Sequence, residues 1–287
     1  MKNLIKTFLR FCYRCLEKII PENRLRDKLF ALISFIVHHK RFPTSKPIFN
    51  DVLYRIKTSK EILDPLRIFI SDKELVKVYV KAVVGEKYNV PTFAILRSID
   101  DIDQYDFPSD CCIKATHGSG QTIIRKNNEV IDIEKVKSWL LMSFYKTCRE
   151  GNYKLLKPKI IIEPILFGNT NLNDYKFFCM NGSPKLIQVD ADRWIGHKRT
   201  MFDINWNEQD YSLAEPKCNQ APEKPENYLE MIEIVKKLAA PFSFIRIDLY
   251  SDGKQCFLGE ITNCHGNASQ RFMPLSGEAK ASKIIFG

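Results

Sequence analysis

The sequence lacks any apolar segment long enough to cross a bilayer. The longest run, residues 29–37, holds nine residues, whereas a membrane-spanning helix needs about 20. A cleavable secretory signal is not expected either, because Lys6, Arg10, Arg14 and Lys18 interrupt any apolar stretch near the N-terminus. We therefore expect a cytoplasmic location for this 287-residue chain.

Paired cysteines at zinc-binding spacing are also lacking. Nine cysteines are scattered along the chain, and the C-x-x-C formed by Cys12 and Cys15 has no second pair to complete a four-ligand site. A scattered, odd-numbered set without a secretory signal favours reduced thiols. A zinc site is not predicted.

Most of the chain carries no net charge. The 44 basic residues exceed the 34 acidic ones by 10, and residues 1–60 alone hold 14 basic and 4 acidic side chains, which accounts for the whole excess. A nucleic-acid-binding protein would carry its basic surface on the folded body. Nucleic acid is therefore not an expected partner.

The basic N-terminal segment has the pattern of an amphipathic helix. Apolar residues recur at helical spacing over residues 2–20, beside lysines and arginines four residues apart, and Pro21 ends the pattern. Two interpretations of residues 1–40 stay open. In the first, these residues lie on an anionic membrane surface, which would place the protein at the inner face of the membrane. In the second, they pack on the body of the protein and leave their basic edge in solvent.

The remaining chain has alternating helical and strand patterns. Helical spacing predicts helices over 24–40, 71–85 and 227–238, the second capped by Ser71. Alternation predicts strands over 111–115, 122–125, 159–165, 175–180, 184–190, 244–250 and 255–261. No regular structure is expected over 100–110 or 194–225, and Asn181-Gly182 is typical of a tight hairpin turn.

A loop of small residues follows a strand that ends in lysine. Lys114 precedes Gly118, Ser119 and Gly120, and another strand comes directly after them. Backbone amides of such a loop can close over phosphates while the lysine supplies charge. The Gly-x4-Gly-Lys spacing of a P-loop is missing, so the alternative of a flexible hairpin tip stays open.

Two carboxylates lie on the last predicted hairpin. Asp248 and Glu260 stand among apolar neighbours on its two strands, and alternation places Arg246 on the same face as Asp248. Carboxylates on a buried sheet need a cation, and two of them suit Mg²⁺ that takes its other ligands from phosphate. A structural ion pair with Arg246 is the alternative.

Two further segments are weaker by themselves. Glu163 ends an apolar strand shortly before Leu166, where free backbone edges could contact an adenine. Lys73 lies in the first turn of a predicted helix. Taken alone, the segment with Glu163 is better interpreted as a core strand that ends in a loop, and Lys73 as an exposed lysine.

Taken together and in this order, these segments resemble the ATP-grasp superfamily. Within it the chain is similar to the TupA-like branch, which is associated with teichuronopeptide and bacterial surface-polysaccharide synthesis. The similarity runs from about residue 45 to residue 273. It is carried by IKATHGSG (113–120), KPKIIIEPIL (157–166), DYKFFCMNG (174–182), PKLIQVDADR (184–193), IRIDLY (245–250) and GEIT (259–262).

The resemblance implies an α/β (α+β) fold of the ATP-grasp type. The nucleotide is expected between two sheet-containing subdomains that follow a helical N-terminal region. The expected divisions are a basic helical arm (1–45), a helical region (46–111), a small subdomain with the phosphate loop (112–166) and a large subdomain with the metal-binding hairpin (167–287).

The resemblance also implies ATP and Mg²⁺ as cofactors and assigns roles to residues. The implied catalytic residues are Arg246 and Lys114. The implied nucleotide-binding residues are Lys73, Lys114, Gly118, Ser119, Gly120, Glu163, Leu166 and Lys176, with Asp174 as an alternative to Lys176. The implied metal ligands are Asp248, Glu260 and Asn263. Where the family usually has asparagine this chain has Thr262, so the third ligand is either Asn263 or Thr262.

The implied activity is that of an ATP- and Mg²⁺-dependent carboxylate–amine ligase that works through an acyl-phosphate. Its expected substrates are an amino acid or other amine and the uronic-acid carboxyl of a glycan, nucleotide-sugar or lipid-linked saccharide in surface-polysaccharide synthesis. Two alternatives are a glycosyltransferase using Asp190-Ala191-Asp192 and a kinase of the same fold that phosphorylates a sugar hydroxyl.

Overall fold

The computed structural model describes residues 22–168, 172–192 and 196–287. The α-helices are α1 (Arg24–His39), α2 (Phe49–Thr58), α3 (Pro65–Phe69), α4 (Leu75–Val83), α5 (Ile99–Gln104), α6 (Ile133–Leu140), α7 (Phe144–Cys148), α8 (Tyr228–Ala239) and α9 (Gly277–Phe286). The strands are β1 (Ala94–Leu96), β2 (Cys111–Ala115), β3 (Thr122–Arg125), β4 (Ile160–Glu163), β5 (Asp174–Met180), β6 (Ser183–Ala191), β7 (Lys198–Asp203), β8 (Ser212–Leu213), β9 (Phe244–Ser251), β10 (Cys256–Thr262) and β11 (Phe272–Met273). Short 3-10 turns occupy Lys60–Leu63, Glu86–Tyr88, Gly151–Tyr153, Leu166–Gly168 and His265–Ala268.

Two antiparallel sheets form the body of the fold. The smaller sheet has the strand order β1-β4-β2-β3, and the larger one has the order β10-β9-β5-β6-β7. A two-stranded sheet pairs β11 with β8. Because β1 belongs to the smaller sheet, that sheet draws on residues before the expected boundary at residue 112.

The hairpin at the centre of the larger sheet follows from its sequence. Asn181 and Gly182 both have positive φ, at 48° and 76°, as a two-residue turn with the natural strand twist requires. Alternation then places Tyr175 and Phe177 on one face, in the core beneath α8. Lys176 stands on the opposite face, which is the face that carries the site.

Apolar packing on both faces of the larger sheet holds its strands in place. Phe177 packs in one cluster with Met231 and Val235 of α8. Phe178, on the other face, packs with Phe49 of α2. This second face therefore has two parts. The part with Phe178 is apolar and is covered by α2 and α9, and the part with Lys176 is polar.

Three local predictions differ from the structure. The helix expected from residue 71 begins at Leu75, because the Asp72 carboxylate accepts from the amides of Glu74 and Leu75 while the Ser71 hydroxyl donates to the Arg67 carbonyl. The acidic stretch contains α5, which Ser98 and Asp101 cap reciprocally. The stretch 194–225 contains β7, which pairs with the preceding strand β6, and β8, which pairs with the distant strand β11.

The predicted helix over residues 2–20 lies outside the described residues. The predictions for 24–40 and 227–238 are confirmed within one or two residues by α1 and α8. Among the described helices, none combines the length and the apolar character needed to span a bilayer.

Candidate functional site

A cavity of about 300 Å³ lies between the two sheets. It combines three lysines with apolar side chains, which suits a ligand with an anionic end and an apolar end. Nine of the predicted site residues line it, the alternative Asp174 included: Lys73, Lys114, Ser119, Gly120, Leu166, Asp174, Lys176, Asp248 and Glu260. Its apolar lining includes Val90, Ile124, Ile165 and Leu172.

The loop between β2 and β3 forms one wall of the cavity. Gly120 has φ of 88°, a conformation that favours glycine. A Cβ atom at Gly118 would lie 3.1 Å from the Cβ atom of Phe144, so a side chain there would require Phe144 to shift slightly. The Lys73 Nζ atom donates to the Gly118 carbonyl at 2.5 Å. Burial lowers the pKa of Lys73, although the Glu260 carboxylate opposes that shift.

Lys114 faces the cavity because β2 alternates buried and cavity-facing positions. Its Nζ atom lies 2.7 Å from one oxygen of Glu163, and the other oxygen lies 2.6 Å from Lys77 Nζ. Burial alone would lower the pKa of Lys114, but the Glu163 carboxylate raises it above the ordinary value. Glu163 itself is 4% exposed and does not line the cavity. The structure thus places it behind Lys114, where it holds the ammonium group in position.

Asp248 and Glu260 are direct partners across the β9–β10 pair. A bulge at Gly259 precedes Glu260, and a Cβ atom there would lie 2.8 Å from the Tyr250 ring. Asp248 accepts 2.6 Å hydrogen bonds from Arg246 Nε and Nη2 and a 3.1 Å bond from Lys176 Nζ. Burial opposes its ionisation, but these two cations hold the pKa of Asp248 below its ordinary value.

Arg246 stands behind the two carboxylates. It does not line the cavity, and besides Asp248 it approaches Glu260 at 3.4 Å and His265 Nδ1. Lys176 lines the cavity and forms ion pairs with Asp174 and Asp248, with Asp190 farther away at 3.8 Å. The structure therefore brings both predicted cations to Asp248 on the β9–β10 hairpin.

The two carboxylates fit a magnesium ion. In the described part of the chain no three His, Cys, Asp or Glu side chains converge on one point. A pair of carboxylate groups suits a hard cation that takes its remaining ligands from phosphate and water. Lys73, Lys114 and Lys176 on the same cavity supply the charge that a triphosphate needs. The donor set therefore fits magnesium bound together with a nucleotide.

The structure does not bring Asn263 to this group. It is 2% exposed, its Oδ1 accepts from Arg67 at 2.9 Å, and its Nδ2 donates to the Arg67 carbonyl and the Ser71 hydroxyl, both at 3.1 Å. Both polar atoms of its side-chain amide are thus engaged in hydrogen bonds that position Arg67 and Ser71. Thr262, the alternative, donates to the Glu260 carboxylate at 3.3 Å.

Replacing Asn263 by Ala should therefore change stability and not metal use. Loss of a buried hydrogen bond to a charged group is expected to lower the free energy of unfolding by about 2 kcal/mol. The Mg²⁺ concentration needed for tight ATP binding should remain that of the unaltered protein, as measured by calorimetry. Thr262→Val is the matched variant at the adjacent position. A changed Mg²⁺ requirement in N263A, with none in T262V, would contradict this assignment.

The carboxylates of Asp190-Ala191-Asp192 do not form a paired metal site in the structure. Asp190 is 1% exposed and receives bonds from Arg199 Nε at 2.6 Å and Nη2 at 3.2 Å. Burial would raise the pKa of Asp190, but His197, Lys176 and Arg199 together hold it well below its usual range. This geometry favours a structural ion pair.

Sequence reasoning missed several residues around the site. Tyr250 lines the cavity two positions after Asp248, whereas Asp174, the predicted alternative to Lys176, lines it as well. Strand alternation was the signal that could have identified Tyr250 as facing the cavity, because it lies on the same face as Asp248. No local signal marked Lys77, which lies on α4 and reaches Glu163 only through the tertiary fold.

Two antiparallel sheets enclosing a lysine-rich cavity, with a glycine loop on one and paired carboxylates on the other, define the ATP-grasp class of proteins. Residues 51–279 match the model of the family described as TupA-like ATPgrasp. The chain belongs to this family, and both the predicted fold and the resemblance are confirmed.

Solved structures with a similar fold include several ligases. D-Alanine-D-alanine ligase from Helicobacter pylori is 14% identical, with a TM-score of 0.42 over 77% of this chain and 60% of that one. The L-amino acid ligase from Bacillus licheniformis is 13% identical, with a TM-score of 0.44 over 86% of this chain and 54% of that one. The chain thus spans less than two thirds of the length of these proteins. No curated protein is significantly similar in sequence.

Proposed function

We propose that this protein is an ATP- and Mg²⁺-dependent ligase that joins a carboxylate to an amine. The observation that carries the proposal is the Asp248–Glu260 pair on the same cavity as Lys73, Lys114 and Lys176. Such a site can hold a triphosphate and orient its terminal phosphate. Membership of the family supports the same reading.

The reaction follows from the chemistry of carboxylates. An oxygen of the substrate carboxylate attacks the terminal phosphorus of ATP, and the bond to ADP breaks, which leaves an acyl-phosphate. The amine then attacks the acyl carbon, and phosphate leaves with the electron pair of the broken C–O bond. Positioning and charge neutralisation supply most of the rate enhancement in phosphoryl transfer.

Each residue of the cavity has a proposed part in this reaction. Lys73 and Lys114 contact the phosphates, and Gly118, Ser119 and Gly120 close over them. Leu166 contacts the adenine from the apolar side of the cavity, and Glu163 orients Lys114. Lys176 and Arg246 stabilise the transferred phosphoryl group, Arg246 through its hold on Asp248 and Glu260. Those two carboxylates hold Mg²⁺, which neutralises phosphate charge when it is bound.

The proposed carboxylate is that of a uronic acid in a bacterial surface polysaccharide, and the proposed amine is an amino acid or another primary amine. The acceptor is a glycan, a nucleotide-sugar or a lipid-linked saccharide. The association of the TupA-like family with teichuronopeptide synthesis supports this choice. A position at the inner face of an anionic membrane suits a lipid-linked substrate, and Leu25 is 79% exposed between the basic Arg24 and Arg26.

Incubation with Mg·ATP, glucuronic or galacturonic acid and a mixture of the 20 amino acids should yield ADP and an amide, detected by mass spectrometry. Hydroxylamine in place of the amino acids should trap the acyl-phosphate as a hydroxamate. A stable phosphorylated sugar formed without any amine would replace this proposal with the kinase. Turnover of a sugar nucleotide without ATP would replace it with the glycosyltransferase.

A further inference from the structure

A buried carboxylate without a partner lies close to the metal-binding hairpin. Glu150 stands between α7 and the turn Gly151–Tyr153 and is 5% exposed. Within the ranges 22–168, 172–192 and 196–287, no hydrogen bond or ion pair engages its carboxylate. Burying a charge in this way is costly unless a partner compensates it. Most other buried carboxylates near the site, such as Glu163 and Asp248, have their cations in contact.

The cation whose charge acts on Glu150, Lys57, donates its hydrogen bonds to other groups. Lys57 donates to the Cys148 carbonyl at 2.8 Å and to the side chain of Asn267. Burial raises the pKa of Glu150 to about 7, against the effect of Lys57, and the Glu260 charge adds to the rise. Because no donor among the described residues contacts it, the Glu150 carboxylate can accept hydrogen bonds from a ligand.

Hydrogen bonds of the residues next to Glu150 connect it to the segment before Lys73 and to the end of β10. Its neighbour Asn152 donates to the Ser71 hydroxyl at 2.8 Å, two residues before Lys73. The same hydroxyl accepts from Asn263, just past the end of β10. The charges of both Glu150 and Glu260 act on Tyr153. Glu150 does not line the nucleotide cavity, but the charge of Glu260 acts on it, so its carboxylate lies on the side of the site that carries Glu260.

We propose that Glu150 receives the ammonium group of the amine substrate. This inference rests on the proposed function, since a ligase needs its amine beside the reacting phosphate. The ammonium group donates to the carboxylate and passes one proton to it, which frees the nitrogen lone pair. That nitrogen bonds to the acyl carbon as the C–O bond to phosphate breaks, and a second nitrogen proton leaves with the phosphate.

The first test is independent of the natural substrates. Methylammonium chloride, at about ten times its dissociation constant, should raise the Tm of the full chain by about 2–4 °C. Tetramethylammonium chloride at the same concentration has no N–H donor and should not. Glu150→Gln should abolish the difference between the two salts, and Glu129→Gln, an exposed control, should retain it. Equal responses of the unaltered protein to both salts would overturn the proposal.

The second test separates the two halves of the reaction. Hydroxylamine is largely uncharged at neutral pH and needs no carboxylate to receive it. E150Q should therefore lose at least about 100-fold more in kcat/KM for amide formation than for hydroxamate formation, with Glu150→Asp partly restoring the amide. Equal losses in both reactions would overturn the role of Glu150. A selective Tm response in a protein without ligase activity would instead retain the ammonium site and reject the proposed function.

Discussion

Replacing Lys114 by Met should weaken Mg·ATP binding at least about 100-fold. Met fills the volume of the lysine stem but removes the ammonium group that lines the cavity 2.7 Å from Glu163. The triphosphate loses a cation, and it then faces a Glu163 carboxylate that only Lys77 neutralises. Calorimetric titration of Mg·ATP measures the change, and thermal unfolding confirms that the variant is folded.

Lys77→Met is the matched control for this prediction. Lys77 holds the other oxygen of Glu163 and also donates to the Val90 carbonyl at 2.7 Å, but it does not line the cavity. Its loss should lower the free energy of unfolding by about 1–3 kcal/mol and change ATP affinity less than about tenfold. If both variants lost affinity equally, the charge balance of Glu163 would matter more than contact of Lys114 with phosphate.

Asp248→Asn should abolish the increase in ATP affinity that Mg²⁺ produces and lower turnover at least about 100-fold. Asparagine has the same shape but one weak acceptor in place of a charged carboxylate, and it removes the charge that pairs with Arg246 and Lys176. Breaking a buried ion pair is expected to cost about 3–5 kcal/mol of unfolding free energy. ATP titrations with and without Mg²⁺, together with ADP release, measure the effect.

Asp51→Asn separates loss of the metal site from loss of stability. Asp51 on α2 is fully buried and accepts from Arg41 at 2.5 Å and from the Thr44 hydroxyl at 2.8 Å. It is a carboxylate paired with arginine, like Asp248, but it does not line the cavity. Its variant should be destabilised similarly and keep its Mg²⁺ response. Loss of that response in D51N would show that global stability explains the result for D248N.

Much of the larger sheet could be predicted because its signals are local. The Asn181-Gly182 turn needs only positive φ at two adjacent residues, and the final hairpin needs only alternation around a short turn. Arg246 and Asp248 share a face because side chains repeat every two residues along a strand. By contrast β8 gains its strand conformation by pairing with β11, which lies far along the chain, and no short stretch of sequence reveals that pairing.

The sequence by itself determined the order of the strands along the chain, the glycine loop after Lys114 and the spacing that puts Arg246 beside Asp248. Only the tertiary structure decided that Glu163 lies between Lys114 and Lys77, that Asn263 holds Arg67, and that Glu150 is buried without a partner. The physical reason is the range of the interactions. Turns and strand faces depend on neighbouring residues, whereas a buried charge finds its partner only after distant segments have packed together.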